Sequence, residues 1–172
     1  MDFEPSPKAR EHLVEPQESM VSQARPGPCR IHRAMRAIGM AGRALEPMGR
    51  RAAERVAFGG PPASQDAVGQ QIAESRTAIE QARSLTLETA WPIDGHGAEG
   101  ARSEIAAVEA VAPRVAFEVL DGAIQVHGGA GVGDDTPLAA MYTWAGAMRI
   151  FDGPDEARVR TVARQELRPY LS

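Results

Sequence analysis

Cysteine is almost absent from this sequence, and its scarcity excludes several classes of protein. Cys29 is the only cysteine in the chain, so an internal disulfide, a paired-thiol redox motif and a cysteine-built zinc site cannot form. A single thiol is typical of proteins in a reducing compartment, and we expect a cytoplasmic location. We expect no metal site.

Long apolar runs and an excess of positive charge are lacking too. The sequence has no run of about 18 apolar residues, which a membrane-spanning helix needs, and residues 1–10 lack the apolar core of a secretory signal. The net charge is −4, whereas nucleic-acid binding depends on a surplus of lysine and arginine. The stretch 30–55 is arginine-rich, but its charges surround the predicted helix and do not line one face. We therefore predict neither a membrane span nor a nucleic-acid partner.

Aromatic residues are also few, at 5% of the chain, whereas alanine and arginine are abundant. This composition favours helices packed through small side chains over a β-sandwich. In the longer predicted helices, apolar residues recur at the spacings of three and four that mark an amphipathic helix. The predicted helices cover 31–58, 64–91, 98–127, 137–148 and 154–168. The sequence thus predicts an all-α fold, an antiparallel helical bundle.

Glycine and proline mark the ends of these helices. Gly59-Gly60-Pro61-Pro62 ends the first helix, Ser64 is the predicted N-cap of the second, and Pro92 ends the second. A glycine-rich break at 127–135 follows the third helix. These breaks are short, as expected between neighbouring antiparallel helices.

The first 29 residues differ from the rest of the chain. They contain Pro5, Pro7, Pro16, Pro26 and Pro28 and show no sustained apolar period. Such a segment buries too little apolar surface to offset the entropy lost on ordering. We predict a poorly structured leader at 1–29 and a helical bundle domain at 30–172.

Four motifs, taken in their order along the chain, resemble one protein family. They are Glu54-Arg55-Val56-Ala57-Phe58-Gly59 followed by Gln65, the helix from Arg102-Ser103-Glu104 to Ala112-Pro113-Arg114, the loop Gln125-Val126-His127-Gly128-Gly129-Ala130-Gly131, and Ile150-Phe151-Asp152-Gly153. Over about 30–170 the chain resembles the carboxy-terminal helical domain of the acyl-CoA dehydrogenases. It is most similar to the subgroup that has aspartate in place of the catalytic glutamate.

This resemblance implies an activity, a cofactor and an assembly. The family uses FAD to oxidise the Cα–Cβ bond of acyl-CoA substrates in fatty acid metabolism, and its carboxy-terminal bundle associates as a homodimer or tetramer. By the same resemblance, Asp152 is the catalytic base, and the carboxylate, arginine and glycine turn converge on one flavin when two subunits pack together. The implied contacts are Arg55, Phe58 and Gln65 with the ADP end of FAD, Gln125, Gly128, Gly129 and Gly131 with the flavin of a neighbouring subunit, and Arg30 and Gly153 with substrate.

The chemistry of these residues suits the implied roles, although each residue has a simpler interpretation. An arginine pairs with a pyrophosphate through two parallel bonds, and glycines let backbone amides approach the same anion. The glycine loop could equally be an ordinary turn. Asp152 could cap the last helix, and Arg30 could be a solvated surface residue.

Some features depart from the family pattern and argue against activity. Gly146 stands where the subgroup usually has arginine, and Ala157-Arg158 stands where Val-His is common. The family's middle β-domain has no counterpart, although residues 1–11 resemble the start of a complete member; an internal deletion would make 12–24 a scar. We expect at best weak FAD retention and little dehydrogenation. The rival hypothesis is a catalytically silent helical oligomerisation module.

Overall fold

The computed structural model describes residues 27–57, 59–96, 98, 100–151 and 153–171, and for 94–96 it describes the backbone alone. These residues form six α-helices: α1 (Gly27–Glu54), α2 (Asp66–His96), α3 (Arg102–His127), α4 (Gly129–Val132), α5 (Leu138–Met148) and α6 (Asp155–Leu167). Short 3-10 turns cover Pro62–Ser64 and Arg168–Tyr170. The described residues contain no strand, and the predicted all-α bundle is confirmed.

Helix α3 lies at the centre of the bundle, in contact with α1, α2, α5 and α6. The two other long helices, α1 and α2, also pack against each other. Helices α1 and α2 therefore each bury a face against α3 and against each other, which explains why their apolar spacing was readable in the sequence. None of the helices in the described part of the chain combines the length and apolar character that crossing a bilayer requires.

Small side chains dominate the contact between α1 and its neighbours. The buried residues of α1 recur every three or four positions: Ala34, Ala37, Ile38, Ala41, Ala44, Leu45, Met48 and Ala52. Alanine allows the helix backbones to approach closely, while the fully buried Ile38 and Met48 fill the space between them. The predicted composition effect is thus visible in the packing.

The helix boundaries differ from the predicted ones by up to five residues. Helix α1 begins at Gly27, four residues before the predicted start, and ends at Glu54 rather than at 58. Helix α3 begins at Arg102 rather than at 98. The predicted break after α3 contains the single helical turn of α4. Within the predicted leader, residues 27–29 are helical, and 1–26 lie outside the described residues.

Two predictions about α2 were wrong. Ser64 does not cap this helix: it lies in the preceding 3-10 turn, and its hydroxyl donates to the carbonyl oxygen of Pro61 at 2.7 Å. Pro92 does not end the helix, which continues to His96. The added turn buries Ile93 in a small second apolar cluster. That burial offsets the backbone hydrogen bond that proline cannot donate.

Candidate functional site

Arg55 and the glycine-rich loop lie side by side. The Arg55 side chain is half-buried just after α1, and its Nη1 donates a hydrogen bond of 3.4 Å to the carbonyl oxygen of Val126, which is 71 residues away in the sequence. A Cβ built on Gly128 would lie 3.5 Å from the same nitrogen. Packing of α1 on α3 therefore brings the arginine of one motif against the glycines of another.

The glycines of this loop have different structural reasons to be there. Gly128 has a φ of +66°, in the left-handed region that favours glycine. A Cβ on Gly131 would lie 2.7 Å from the carbonyl oxygen of Ile124, so no side chain fits. Gly129 is exposed, and a Cβ there would meet nothing within 4 Å. Gly128 and Gly131 thus serve the loop itself, whereas the backbone at Gly129 has free space around it.

The other predicted cofactor residues lie on the surface or outside the described residues. Gln65 is exposed one residue before α2, and its carbonyl oxygen accepts a hydrogen bond of 3.0 Å from the Val68 amide. Gln125 is exposed in the last turn of α3. Within the described part of the chain, neither glutamine side chain hydrogen-bonds to Arg55. Phe58 lies outside the described residues.

The connection between α5 and α6 contains the predicted catalytic motif. Asp152 itself lies outside the described residues. Its neighbour Gly153 has a φ of +111°, so the backbone conformation favours glycine there whatever the connection binds. Arg158, in α6, is buried and donates hydrogen bonds to the carbonyl oxygens of Met148 and Phe151. The connection is therefore held by a guanidinium group that the sequence motif did not predict.

Arg30 belongs to an ion-pair cluster between α1 and α3. Its Nη1 lies 3.3 Å from Glu109 Oε2, and Arg33, one turn later on α1, donates to Glu109 Oε1. The Glu109 side chain is only 5% exposed, whereas the two arginines keep 23% and 22% of their surface. Arg30 is therefore ion-paired with Glu109 at the surface of the bundle and is not a fully solvated side chain.

A second ion pair lies beside the α5–α6 connection. Arg149 Nε donates to Asp155 Oδ2 at 2.7 Å, and the guanidinium carbon lies 5.4 Å from the centre of the Phe117 ring. The hydrogen bond to Asp155 raises the pKa of Arg149 above its ordinary value, although burial acts in the opposite direction. Arg149 therefore remains a cation at every pH that the fold would experience.

The predicted site residues do not line the cavity between α2 and α3. That cavity has a volume of about 420 Å³, and Leu85, Glu88 and Glu104 contribute to its walls. In the portion of the chain that the structure describes, no three histidine, cysteine, aspartate or glutamate side chains lie close enough to hold a metal ion.

Three residues of the observed clusters were missed as partners in the sequence: Arg33, Glu109 and Arg158. One signal was available for Glu109. It lies between Val108 and Ala110 within the apolar run of α3, and a lone acid at a core position indicates a buried cation as its partner. For Arg33 no local signal exists, because its acceptor is 76 residues away. For Arg158 the sequence offers Asp155, three residues earlier, but its other acceptors are backbone carbonyl oxygens as far as 49 residues away, which no side-chain pattern records.

The fold defines a class of protein: an all-α helical domain in which an arginine meets a glycine-rich loop near the carboxyl end of the central helix. The particular family follows from the whole chain. The chain belongs to the acyl-CoA dehydrogenase C-terminal domain family, whose model matches residues 21–167.

Curated relatives carry the same family name. The chain is 59% identical over 147 residues to the probable acyl-CoA dehydrogenase FadE2 of Mycobacterium tuberculosis, covering 86% of this chain and 36% of the relative. It is 48% identical over 148 residues to the human acyl-CoA dehydrogenase family member 11, covering 86% and 19% respectively. The chain thus spans about a third or less of the length of these relatives.

Solved structures share the fold. A protein from Mycobacterium abscessus assigned as an acyl-CoA dehydrogenase superposes with a TM-score of 0.84 at 46% identity, covering 88% of this chain and 37% of that one. Butyryl-CoA dehydrogenase from Megasphaera elsdenii gives a TM-score of 0.76 at 27% identity, with coverage of 87% and 38%. The bundle predicted from the sequence is therefore the family's carboxy-terminal domain.

Proposed function

We propose that this chain supplies the FAD-contacting and subunit-packing part of an acyl-CoA dehydrogenase. The observation that carries the proposal is the contact between Arg55 and the loop at Gly128, because it joins two separate cofactor motifs into one surface. When bound, FAD would accept the hydride that leaves Cβ of an acyl-CoA thioester. The chain's own residues would bind and orient the FAD and the acyl-CoA and would remove the α-proton of the thioester.

Arg55 fits a pyrophosphate by its chemistry and its surroundings. Among the described residues its side chain makes one hydrogen bond, the 3.4 Å contact with Val126. The rest of its planar fork can therefore donate to an anion, as guanidinium groups do to phosphates. The open backbone at Gly129 lies in the adjoining loop. Phe58, Gln65 and Gln125 complete the proposed cofactor set.

The length of α3 supports the proposal that one flavin is shared by two copies of the chain. Arg55 contacts Val126 near the carboxyl end of α3, whereas Arg158, beside the α5–α6 connection, contacts Glu109. From 109 to 126 the helix rises about 25 Å. A ribityl chain, which joins the pyrophosphate of FAD to its ring, spans far less. One protomer would hold the pyrophosphate while another presents the proposed base, which supports a homodimer or tetramer.

The proposed base is Asp152, with Arg30 and Gly153 as substrate contacts. A carboxylate removes an α-proton efficiently only when desolvation raises its pKa. The matched relatives are far longer than this chain, which covers only 36% of the length of the mycobacterial protein. We therefore expect the 172-residue chain alone to bind FAD weakly and to dehydrogenate acyl-CoA very little. The lone thiol of Cys29 suits the cytoplasm.

Fluorescence titration of FAD with the purified chain tests this proposal. Replacing Arg55→Met keeps the apolar stem and removes the charge, and should weaken binding about 10- to 100-fold, as expected for loss of charge-assisted bonds. Arg43→Met, an exposed arginine on α1, is the matched control. It should leave the affinity unchanged.

The titration has three outcomes that would contradict parts of the proposal. Equal effects of the two substitutions would show that Arg55 does not contact FAD. Absence of any FAD binding to a folded chain would contradict the cofactor role and favour a catalytically silent helical oligomerisation module. Strong visible flavin absorbance that acyl-CoA bleaches would overturn the expectation of low activity.

A further inference from the structure

Arg158 is a buried cation that binds mainly to backbone oxygen atoms. It is 6% exposed. Its Nη2 donates to the carbonyl oxygen of Phe151 at 2.7 Å, and Nη1 donates to Asp155 Oδ1 at 2.9 Å and to the carbonyl oxygen of Glu109 at 3.2 Å. Both nitrogens lie 3.4 Å from the carbonyl oxygen of Met148. Four acceptors on three segments of the chain thus meet at one guanidinium.

Two of the four acceptors lie at or just after the end of α5, where carbonyl groups lack partners within the helix. Met148 is the last residue of α5, and Phe151 follows it in the connection to α6. A cation at a helix carboxyl terminus also interacts favourably with the helix dipole. The bond to Glu109 ties the same group to the central helix. Arg158 therefore fastens the connection to α3 as well as to α6.

A simple ion pair with Asp155 would not need this arrangement. Asp155 is already hydrogen-bonded to Arg149, and an exposed arginine could reach it from solvent. Burial of Arg158 costs desolvation energy, which the carbonyl bonds offset only because the fork meets several acceptors at once. A histidine, which is common at this position in the subgroup that the chain resembles, has a single N–H donor when neutral. The observed contacts therefore need arginine.

We propose that Arg158 is a positioning residue, which fixes the backbone carbonyl group of Phe151, the residue before the proposed base, by hydrogen-bonding its oxygen. We call the hydrogen bonds of Arg158 to Phe151, Met148 and Glu109 the Arg158 clamp, and all of these residues are described in the structure. Its importance for catalysis rests on the proposed function, which makes Asp152 the base. A base must be held at a fixed position relative to its substrate proton, because small displacements reduce the rate strongly. The contacts of Arg158 among the described residues are with backbone carbonyls and Asp155, so we propose that it acts through the backbone.

Two substitutions and one control test the clamp in the purified chain. Arg158→Met keeps much of the volume without donors, Arg158→Lys keeps the charge without the planar fork, and Arg160→Met alters an exposed arginine of the same helix. Chymotrypsin cleavage after Phe151, under native conditions, reports opening of the connection. Cleavage after Leu87, exposed on α2, reports general unfolding.

Arg158→Met should accelerate cleavage after Phe151 about 10- to 100-fold, the population change expected for losing hydrogen bonds to a charged group. Cleavage after Leu87 should not change. With carbonyl-¹³C phenylalanine, the Phe151 carbonyl resonance should move upfield, because a strong donor has been removed. Arg158→Lys should give a smaller shift in the same direction, and Arg160→Met should give none.

The clamp is refuted by an unmoved Phe151 resonance, or by cleavage that rises equally at Phe151 and Leu87. If Arg158→Met does not fold, the test rests on Arg158→Lys. An unchanged Phe151 carbonyl resonance in that variant also refutes the clamp. None of these readouts needs FAD. Failure of FAD binding would thus reject the proposed function and leave the clamp standing, whereas failure of the clamp would leave FAD binding untouched.

Discussion

Glu109 is the residue at which the charges of the bundle converge. Its side chain is 5% exposed and is paired with Arg30 and Arg33 from α1. A buried carboxylate is expensive to desolvate, and it is tolerated only where cations and hydrogen bonds compensate. The pair thereby fixes the register of α1 on α3, on which the contact of Arg55 with the glycine loop depends.

Removing the Glu109 charge should destabilise the fold. Glu109→Gln keeps the size of the side chain and removes the buried charge that Arg30 and Arg33 both contact, so we expect a loss of about 2–4 kcal/mol in the free energy of unfolding. Urea denaturation measures it. Glu46→Gln, which breaks an exposed pair with Arg50, should cost less than about 0.5 kcal/mol. A Glu109 variant as stable as the Glu46 variant would show that the cluster carries no stability.

Contacts between distant residues were predictable only where the motifs indicated them. The family resemblance singled out Arg55 and Gly128 together, and the structure brings these two residues into contact. It singled out Arg30 without indicating Glu109, because that partner depends on how α1 packs against α3. Arg158 was visible as a departure from the family pattern, but its acceptors are backbone carbonyls that no side-chain pattern records. The roles of Asp152, Phe58 and the other predicted contacts stay predictions.

At the scale of elements, helix existence was predictable and helix ends were not. Apolar spacing reports which face is buried, and that face is set over many turns. Ends depend on local competition, as at Pro92, where burial of Ile93 extends α2 past a proline. The boundary between a leader at 1–29 and the bundle stays a prediction, although α1 already begins at Gly27.

Helix α5 offers a test of the packing. Gly146 lies inside this helix, and a Cβ there would lie 3.7 Å from the Phe117 ring, an ordinary contact. Gly146→Ala should therefore raise the free energy of unfolding by about 0.5–1 kcal/mol, because alanine loses less backbone entropy on folding. Thermal and urea denaturation measure the change.

Gly153→Ala is the matched comparison in the neighbouring connection. Space is free there as well, but φ is +111°, so the substitution should destabilise the chain by about 1–2 kcal/mol. Destabilisation by Gly146→Ala would instead mean that α5 packs more tightly against α3 than the structure indicates.

At the scale of the whole molecule, both halves of the proposed flavin site adjoin exposed apolar residues. Val56 and Val132, near Arg55 and the glycine loop, are 79% and 68% exposed. Ile150 and Phe151, before the predicted base, are 71% and 46% exposed. Exposed apolar residues also lie elsewhere on the described surface, such as Trp91 on α2, which is 85% exposed. Our proposal that two copies complete one site requires apolar surface beside both half-sites, and these residues provide it.

Analytical ultracentrifugation with simultaneous protein and visible flavin detection tests the central claim most directly. At micromolar concentration with FAD in excess, the chain should sediment as a dimer or tetramer, and part of the flavin absorbance should move with that boundary. Arg55→Met should still associate but should carry little flavin. A folded chain that sediments as a monomer, or an assembly that never carries flavin, would contradict the account.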